Sequence, residues 1–148
     1  MKAIKQTIGI DVAQDELVCS FGILFEDLSW QIKARKTFGN HSSGFKTCLK
    51  WAESMRDSSS EVLFVMEATG VYHEKFAHWL VDQGQKLSIV LPNKISNYMR
   101  TLSIKTVTDS TCADAITQFG LERKLDHWAP PKPIFRTLRQ LTRERDQI

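Results

Sequence analysis

The feature that most constrains this chain is a change of hydrophobic period near residue 40. Before it, apolar residues alternate with polar or small ones. Leu17, Cys19, Phe21 and Ile23 interleave with Glu16, Ser20 and Gly22, and Ile32 and Ala34 interleave with Lys33 and Arg35. A period of two marks strands with one buried face. A short apolar run from Lys5 to Ile10 precedes them, and Gln14-Asp15 and Glu26-Asp27 supply the turns. Together these stretches predict an antiparallel meander of three strands.

After residue 40 the spacing becomes helical. Phe45, Leu49, Ala52 and Met55 recur on one side, with Ser42 or Ser43 as the cap and Asp57-Ser58-Ser59-Ser60 as the terminating loop. Val62-Leu63-Phe64-Val65-Met66 is apolar throughout, which suits a strand covered on both faces. Tyr72, Phe76, Trp79 and Leu80 predict an amphipathic helix closed by Gly84, and Leu87 to Leu91 a buried strand halted by Pro92. Strand, helix and strand in that order predict a parallel, right-handed crossover. Residues 109 to 124 predict a further helix.

Three antiparallel strands followed by helix, strand, helix and strand is the chain order of the ribonuclease-H-like fold. The expected fold class is therefore α/β, a mixed sheet flanked by helices. Trp128 to Pro133 reads Trp-Ala-Pro-Pro-Lys-Pro and cannot be helical throughout. We accordingly expect one domain over residues 1–128. Residues 129–148 would be a proline-rich linker and the start of a helical coil, in which Ile134, Leu138 and Leu141 set a pattern still running at Ile148. That unfinished pattern suggests a helix continuing in a longer protein.

Composition narrows the function classes. At 148 residues, 42% hydrophobic and 25% charged, the chain has the balance of a globular domain with a sizeable core. No apolar run approaches the length of a membrane span, and Gly9 and Asp11 interrupt any signal-peptide core. Cys19, Cys48 and Cys112 are odd in number and widely spaced, which argues against a zinc knuckle and for a reducing cytoplasm. The net charge of +3 is mild, but Arg136, Arg139, Arg143 and Arg145 crowd the last thirteen residues. Four histidines, His41, His73, His78 and His127, lack ligand spacing.

The acidic residues carry the chemistry. Asp11 closes the first strand in Gly9-Ile10-Asp11-Val12, and Glu67 closes the buried strand in Val65-Met66-Glu67-Ala68. Parallel sheets bind ligands beyond the carboxyl ends of their strands. Two carboxylates on adjacent strand ends repel each other unless a divalent cation lies between them. Asp109 and Asp114 bracket Ser110-Thr111-Cys112-Ala113. Asp109 is also a good helix cap, and Cys112 occupies the position three later that would share its face. Asp11, Glu67, Asp109 and Asp114 across such a sheet suggest a catalytic two-metal phosphodiester site, with magnesium or manganese held by hard oxygen ligands.

These residues resemble the DEDD transposases of the bridge-RNA-guided insertion sequences, the IS110 family. The resemblance rests on Gly9-Ile10-Asp11-Val12, on Met66-Glu67-Ala68-Thr69-Gly70-Val71-Tyr72 and on Val90-Leu91-Pro92-Asn93. Lys105-Thr106-Val107-Thr108-Asp109, Ala115-Ile116 and Phe119-Gly120 extend it over most of residues 6 to 121. It implies a RuvC-like domain in which four acidic residues bind magnesium and move DNA by strand cleavage and exchange. Asp11, Glu67 and Asp109 fall on the first three acidic positions. Cys112 falls on the fourth, where the family has aspartate, and Asp114 lies two residues late. Asp114 is the expected replacement.

The resemblance further implies a serine-bearing C-terminal domain beyond Ile148, a homo-oligomeric full-length protein and a structured guide RNA. Residues 1–148 alone would then lack complete strand transfer. Lys94, Arg100, Lys105, Arg136, Arg139, Arg143 and Arg145 are the candidate phosphate contacts. Rival readings are a standalone junction resolvase and a non-catalytic RNA-binding and oligomerising module. An actin-like sugar kinase also opens with Gly-Ile-Asp, but it needs a glycine-rich phosphate loop that this sequence lacks.

Overall fold

A computed structural model of the chain describes residues 2–58, 60–68, 70–102 and 109–130, with the backbone alone at 109 and 110. Its centre is a five-stranded sheet in the order β3-β2-β1-β4-β5. The strands are β1 (Ala3–Val12), β2 (Glu16–Phe25), β3 (Trp30–Gly39), β4 (Val62–Glu67) and β5 (Lys86–Val90). β1, β2 and β3 form the expected antiparallel meander, with Ile8 opposite Phe21 and Leu17 opposite Phe38. β4 then lies parallel to β1, and β5 parallel to β4. The period-2 residues at 17–23 are indeed those facing the core.

One face of the sheet is covered by α1 (Ser42–Met55) and α2 (Glu74–Asp82). Ile8, Ile10, Cys19, Phe21, Phe64 and Met66 meet Phe45, Cys48, Phe76 and Leu80 there, all essentially without solvent exposure. Phe45 stacks on Phe76 at 4.8 Å between ring centroids, while Leu49 and Trp79 close the margin half-buried. Burying each such side chain contributes about 1.5–3 kcal/mol before chain entropy is subtracted. The expectation that Phe45, Leu49, Phe76, Trp79 and Leu80 pack on the sheet is met.

The other face is covered by α3 (Pro92–Arg100) and α4 (Asp109–Glu122). A smaller apolar cluster of Val65, Val90, Ile95, Tyr98, Ile116 and Phe119 joins them to β4 and β5. Trp128, placed by its sequence in the linker region, instead docks here as part of the domain. Its N–H donates to Leu87 O at 2.7 Å, Ser88 Oγ donates to Asp126 O at 2.8 Å, and its ring packs edge-on to His78. The predicted coil containing Ile134, Leu138 and Leu141 lies outside the described residues.

Three local features depart from the sequence reading. α1 is capped by His41, whose Nδ1 accepts from Gly44 N, rather than by Ser42 or Ser43. α2 begins at Glu74 and leaves Tyr72 outside, 46% exposed, in the turn that follows the positive-φ Gly70. Pro92 does more than halt β5. It opens α3, since its ring fixes φ near the helical value and its missing N–H is not needed in a first turn.

Candidate functional site

The register of β1 against β4 pairs Gly9 with Val65 and Ile10 with Met66. The next residue on each strand is an acid, Asp11 and Glu67. Neighbouring residues of parallel strands point to the same side, so the two carboxylates share one face at the carboxyl edge of the sheet. It is the face of Gly9 and Val65, opposite the aromatic core. Both residues are partly exposed, consistent with an edge open to solvent. Their Coulomb repulsion is the reason such a pair suits a cation.

The approach of α4 to that edge depends on small residues. A β-carbon at Gly9 would overlap the backbone nitrogen of Thr117, and one at Gly120 would press on Thr7 at 2.6 Å. The helix therefore lies directly on the backbone of β1. Gly9 N–H donates to Thr117 Oγ1 at 2.9 Å, and that hydroxyl reaches Ser20 O at 3.0 Å and Ala113 O at 2.8 Å. Residue 7 meets Gly120 whereas residue 9 meets Thr117 and Ala113, so α4 runs antiparallel to β1. Its first turn, beginning at Asp109, is carried toward the strand ends that bear Asp11 and Glu67. The Asp109 side chain itself lies outside the described residues, as does Lys105.

Asp114, the expected fourth acid, is engaged elsewhere. Arg35 on β3 donates to its carboxylate through Nε at 2.9 Å and through a terminal nitrogen at 2.7 Å. Ser20 Oγ on β2 donates to the same carboxylate at 2.5 Å. Asp114 thus faces the meander, on the far side of β1 from Glu67. Its carboxylate in turn raises the Arg35 pKa above the ordinary guanidinium value. With side-chain exposures of 54% for Arg35 and 26% for Asp114, such a pair contributes about 1 kcal/mol or less to stability. The sequence held no sign of this pairing, because Arg35 and Asp114 are 79 residues apart.

Lys94 and Arg100 are exposed on α3, while Arg136, Arg139, Arg143 and Arg145 lie outside the described residues. No group of three or more His, Cys, Asp or Glu side chains that could hold a metal is assembled among the described residues. His73 sits half-buried at the start of α2, where burial lowers its pKa, and its Nδ1 finds no hydrogen-bond partner among the described residues. A cavity of about 250 Å³ lies at the opposite, amino edge of the parallel strands, lined by Lys5, Gln6, Lys86 and Lys124 among others. It is remote from the acids. No helix among the described residues is long and apolar enough to cross a membrane.

Comparison with known proteins agrees with this architecture. The chain is 32% identical over 142 residues to the pilin gene-inverting proteins of Moraxella bovis and Moraxella lacunata. The matched region is 96% of this chain but 42% of each relative, so the chain spans less than half the length of the relatives it matches. Thermus thermophilus RuvC in complex with a Holliday junction substrate superposes with a TM-score of 0.56 at 10% identity, over 83% of this chain and 99% of that one. A second Thermus thermophilus RuvC structure gives 0.57 with the same coverage. At this identity the likeness shows the fold alone, the RuvC-like form of the ribonuclease-H fold. Residues 8–148 match the family model of the IS110 DEDD transposases, and the chain belongs to that transposase family.

Proposed function

We propose that this chain is the metal-binding catalytic part of a DNA recombinase, in which Asp11, Glu67 and Asp109 hold magnesium or manganese at the carboxyl edge of the sheet. The observation that carries the reading is the β1–β4 register, which puts Asp11 and Glu67 side by side on the face crossed by α4. The donor set fits the ion, since carboxylate oxygens are hard ligands and magnesium keeps waters that substrate phosphates can replace. The metal would supply polarisation of a phosphodiester oxygen and neutralisation of charge at the leaving oxygen. Asp11 and Glu67 would orient it, and their common face leaves the solvent side of the edge open to a DNA backbone. The relatives named for inverting a pilin gene support a DNA rearrangement, and the RuvC solved with a Holliday junction supports a branched DNA substrate.

Lys94 and Arg100 are proposed to contact phosphates of DNA or of a structured guide RNA. Lys105, Arg136, Arg139, Arg143 and Arg145 are proposed for the same role. A serine-bearing region, homo-oligomers and a cytoplasmic location belong to the same proposal for the whole protein. Asp114 can serve as the fourth ligand if its pairing with Arg35 is given up when metal binds. The test is calorimetric titration of manganese into the wild-type chain, Asp11→Asn and Glu67→Gln. Each variant is expected to weaken binding at least tenfold while keeping the native circular dichroism. Unchanged affinity in both would end the metal reading.

A further inference from the structure

Asp114 and Asp109 lie on the same helix, five residues apart. At about 100° per residue they point about 140° away from each other around its axis. A group that fixes the direction of Asp114 therefore fixes the direction of Asp109. Arg35 grips the Asp114 carboxylate with two nitrogens, at 2.9 and 2.7 Å, and Ser20 adds a third donor at 2.5 Å. Bidentate guanidinium–carboxylate contacts are directional, unlike the point charge of a lysine. Ser20 is fully buried and lies opposite Gly9 in the β1–β2 ladder, two residues before Asp11. One continuous path of contacts thus joins β3, β2 and α4 to the strand that bears the first acid.

The glycine contacts at Gly9, Gly22 and Gly120 set how closely α4 lies on the sheet. They hold the middle and the end of the helix, from Ala113 to Leu121. Small, flat contacts of this kind restrain distance better than rotation. The rotation about the helix axis, and with it the aim of the first turn, is left to directional polar contacts. Asp114 supplies these within the second turn.

We propose that Asp114 is a positioning residue: its clamp to Arg35 and Ser20 sets the rotation of α4 and so aims Asp109 at the ion held by Asp11 and Glu67. This rests on the metal site proposed above and deepens it. Asp114 then contributes without touching the metal, and the site works with three carboxylates. The outcome separates sharply from the alternative in which Asp114 is itself a ligand, because Arg35 plays opposite parts in the two cases. As a clamp partner Arg35 helps metal binding. As a competitor for a ligand carboxylate it hinders it.

The experiment is titration of manganese into the 148-residue chain and its variants Arg35→Ala, Arg35→Lys, Asp114→Asn and the Arg35→Ala/Asp114→Asn double variant, with Asp11→Asn as the control. Amide exchange at Thr111 to Ala113 is followed alongside, without metal. Losing an orienting partner typically weakens metal affinity by about 10- to 100-fold. Arg35→Ala and Asp114→Asn are each expected to lose about tenfold, and the double variant no more than either. Arg35→Lys should recover part of the loss. Exchange in the first turns should quicken in both single variants while the melting temperature moves little. Unchanged or tighter manganese binding in Arg35→Ala, with a loss in Asp114→Asn, would make Asp114 a ligand and overturn the clamp. Full affinity and slow exchange in both would reduce the pair to a surface contact. Full affinity in Asp11→Asn would remove the metal site itself, and the positioning role with it.

Discussion

The two faces of the sheet are built on different principles. On the α1–α2 face, bulk does the work: Phe21, Phe45, Phe64 and Phe76 interlock with aliphatic neighbours, and the cohesion comes from apolar area. On the α4 face, the side chains at the contact are small. Gly9, Gly22 and Gly120 admit the helix to backbone distance, and Thr117, Ser20 and Asp114 fix it with hydrogen bonds. A bulky core resists collapse but leaves fractions of an ångström to side-chain rearrangement. Close backbone contact leaves almost none, and the metal-site residues Asp11 and Glu67 lie on that side. The difference indicates where this fold spends stability and where it spends precision.

That division can be attacked most forcefully at Phe76. Phe76→Ala should destabilise the chain by about 4 kcal/mol, as read by urea unfolding, through lost transfer energy and the cavity left behind. Below its melting temperature the variant should still bind manganese with wild-type affinity. A fall in affinity in the folded variant would show that the aromatic face aims the site as well. Gly9→Ala comes next. A single methyl group against the Thr117 backbone should cost about 3 kcal/mol and weaken manganese binding in the folded fraction, because α4 must lift.

Thr117→Val sharpens the comparison at constant volume. It removes the oxygen that accepts from Gly9 N–H and should cost about 2 kcal/mol, the penalty of leaving a buried donor unpaired. The smallest expected effect belongs to His73, on the helix of the aromatic face. Burial holds its pKa below the ordinary 6.5, so the unfolded chain takes up the proton first as pH falls. Stability should therefore decline as pH drops below about 6.5 and level off once the folded-state value is passed. His73→Gln should flatten that part of the profile. A wild-type curve that rises toward acid would contradict the assignment.

Legibility in the sequence followed the same division. The α1–α2 face was readable because its signal is periodic: Leu17, Cys19, Phe21 and Ile23 alternate, and Phe45, Leu49, Phe76 and Leu80 recur at helical spacing. The strand ends at Asp11 and Glu67 were readable from the apolar runs before them. α3 was missed because Pro92 was taken as a stop for β5, although proline is equally a helix opener, and because Ile95 and Tyr98 offer a narrow apolar stripe. The His41 cap was hidden behind two serines that are commoner caps. Glycine and threonine at a helix–sheet contact leave no periodic trace, and an ion pair between Arg35 and Asp114 exists only once the sheet is assembled.

The docking of Asp126 to Trp128 has a consequence for how copies of this domain meet. A bare outer strand is a template on which another chain can extend a sheet. At β5 the Trp128 N–H already occupies Leu87 O, and the tryptophan ring lies over the margin. Sheet extension is thereby blocked on that side. At β3, the opposite border, Lys33, Arg35 and Lys36 line the strand, so a second copy approaching there would set like charges against each other. The domain can be crowded on nucleic acid without its sheets fusing, and contact between copies is steered to its helices and loops.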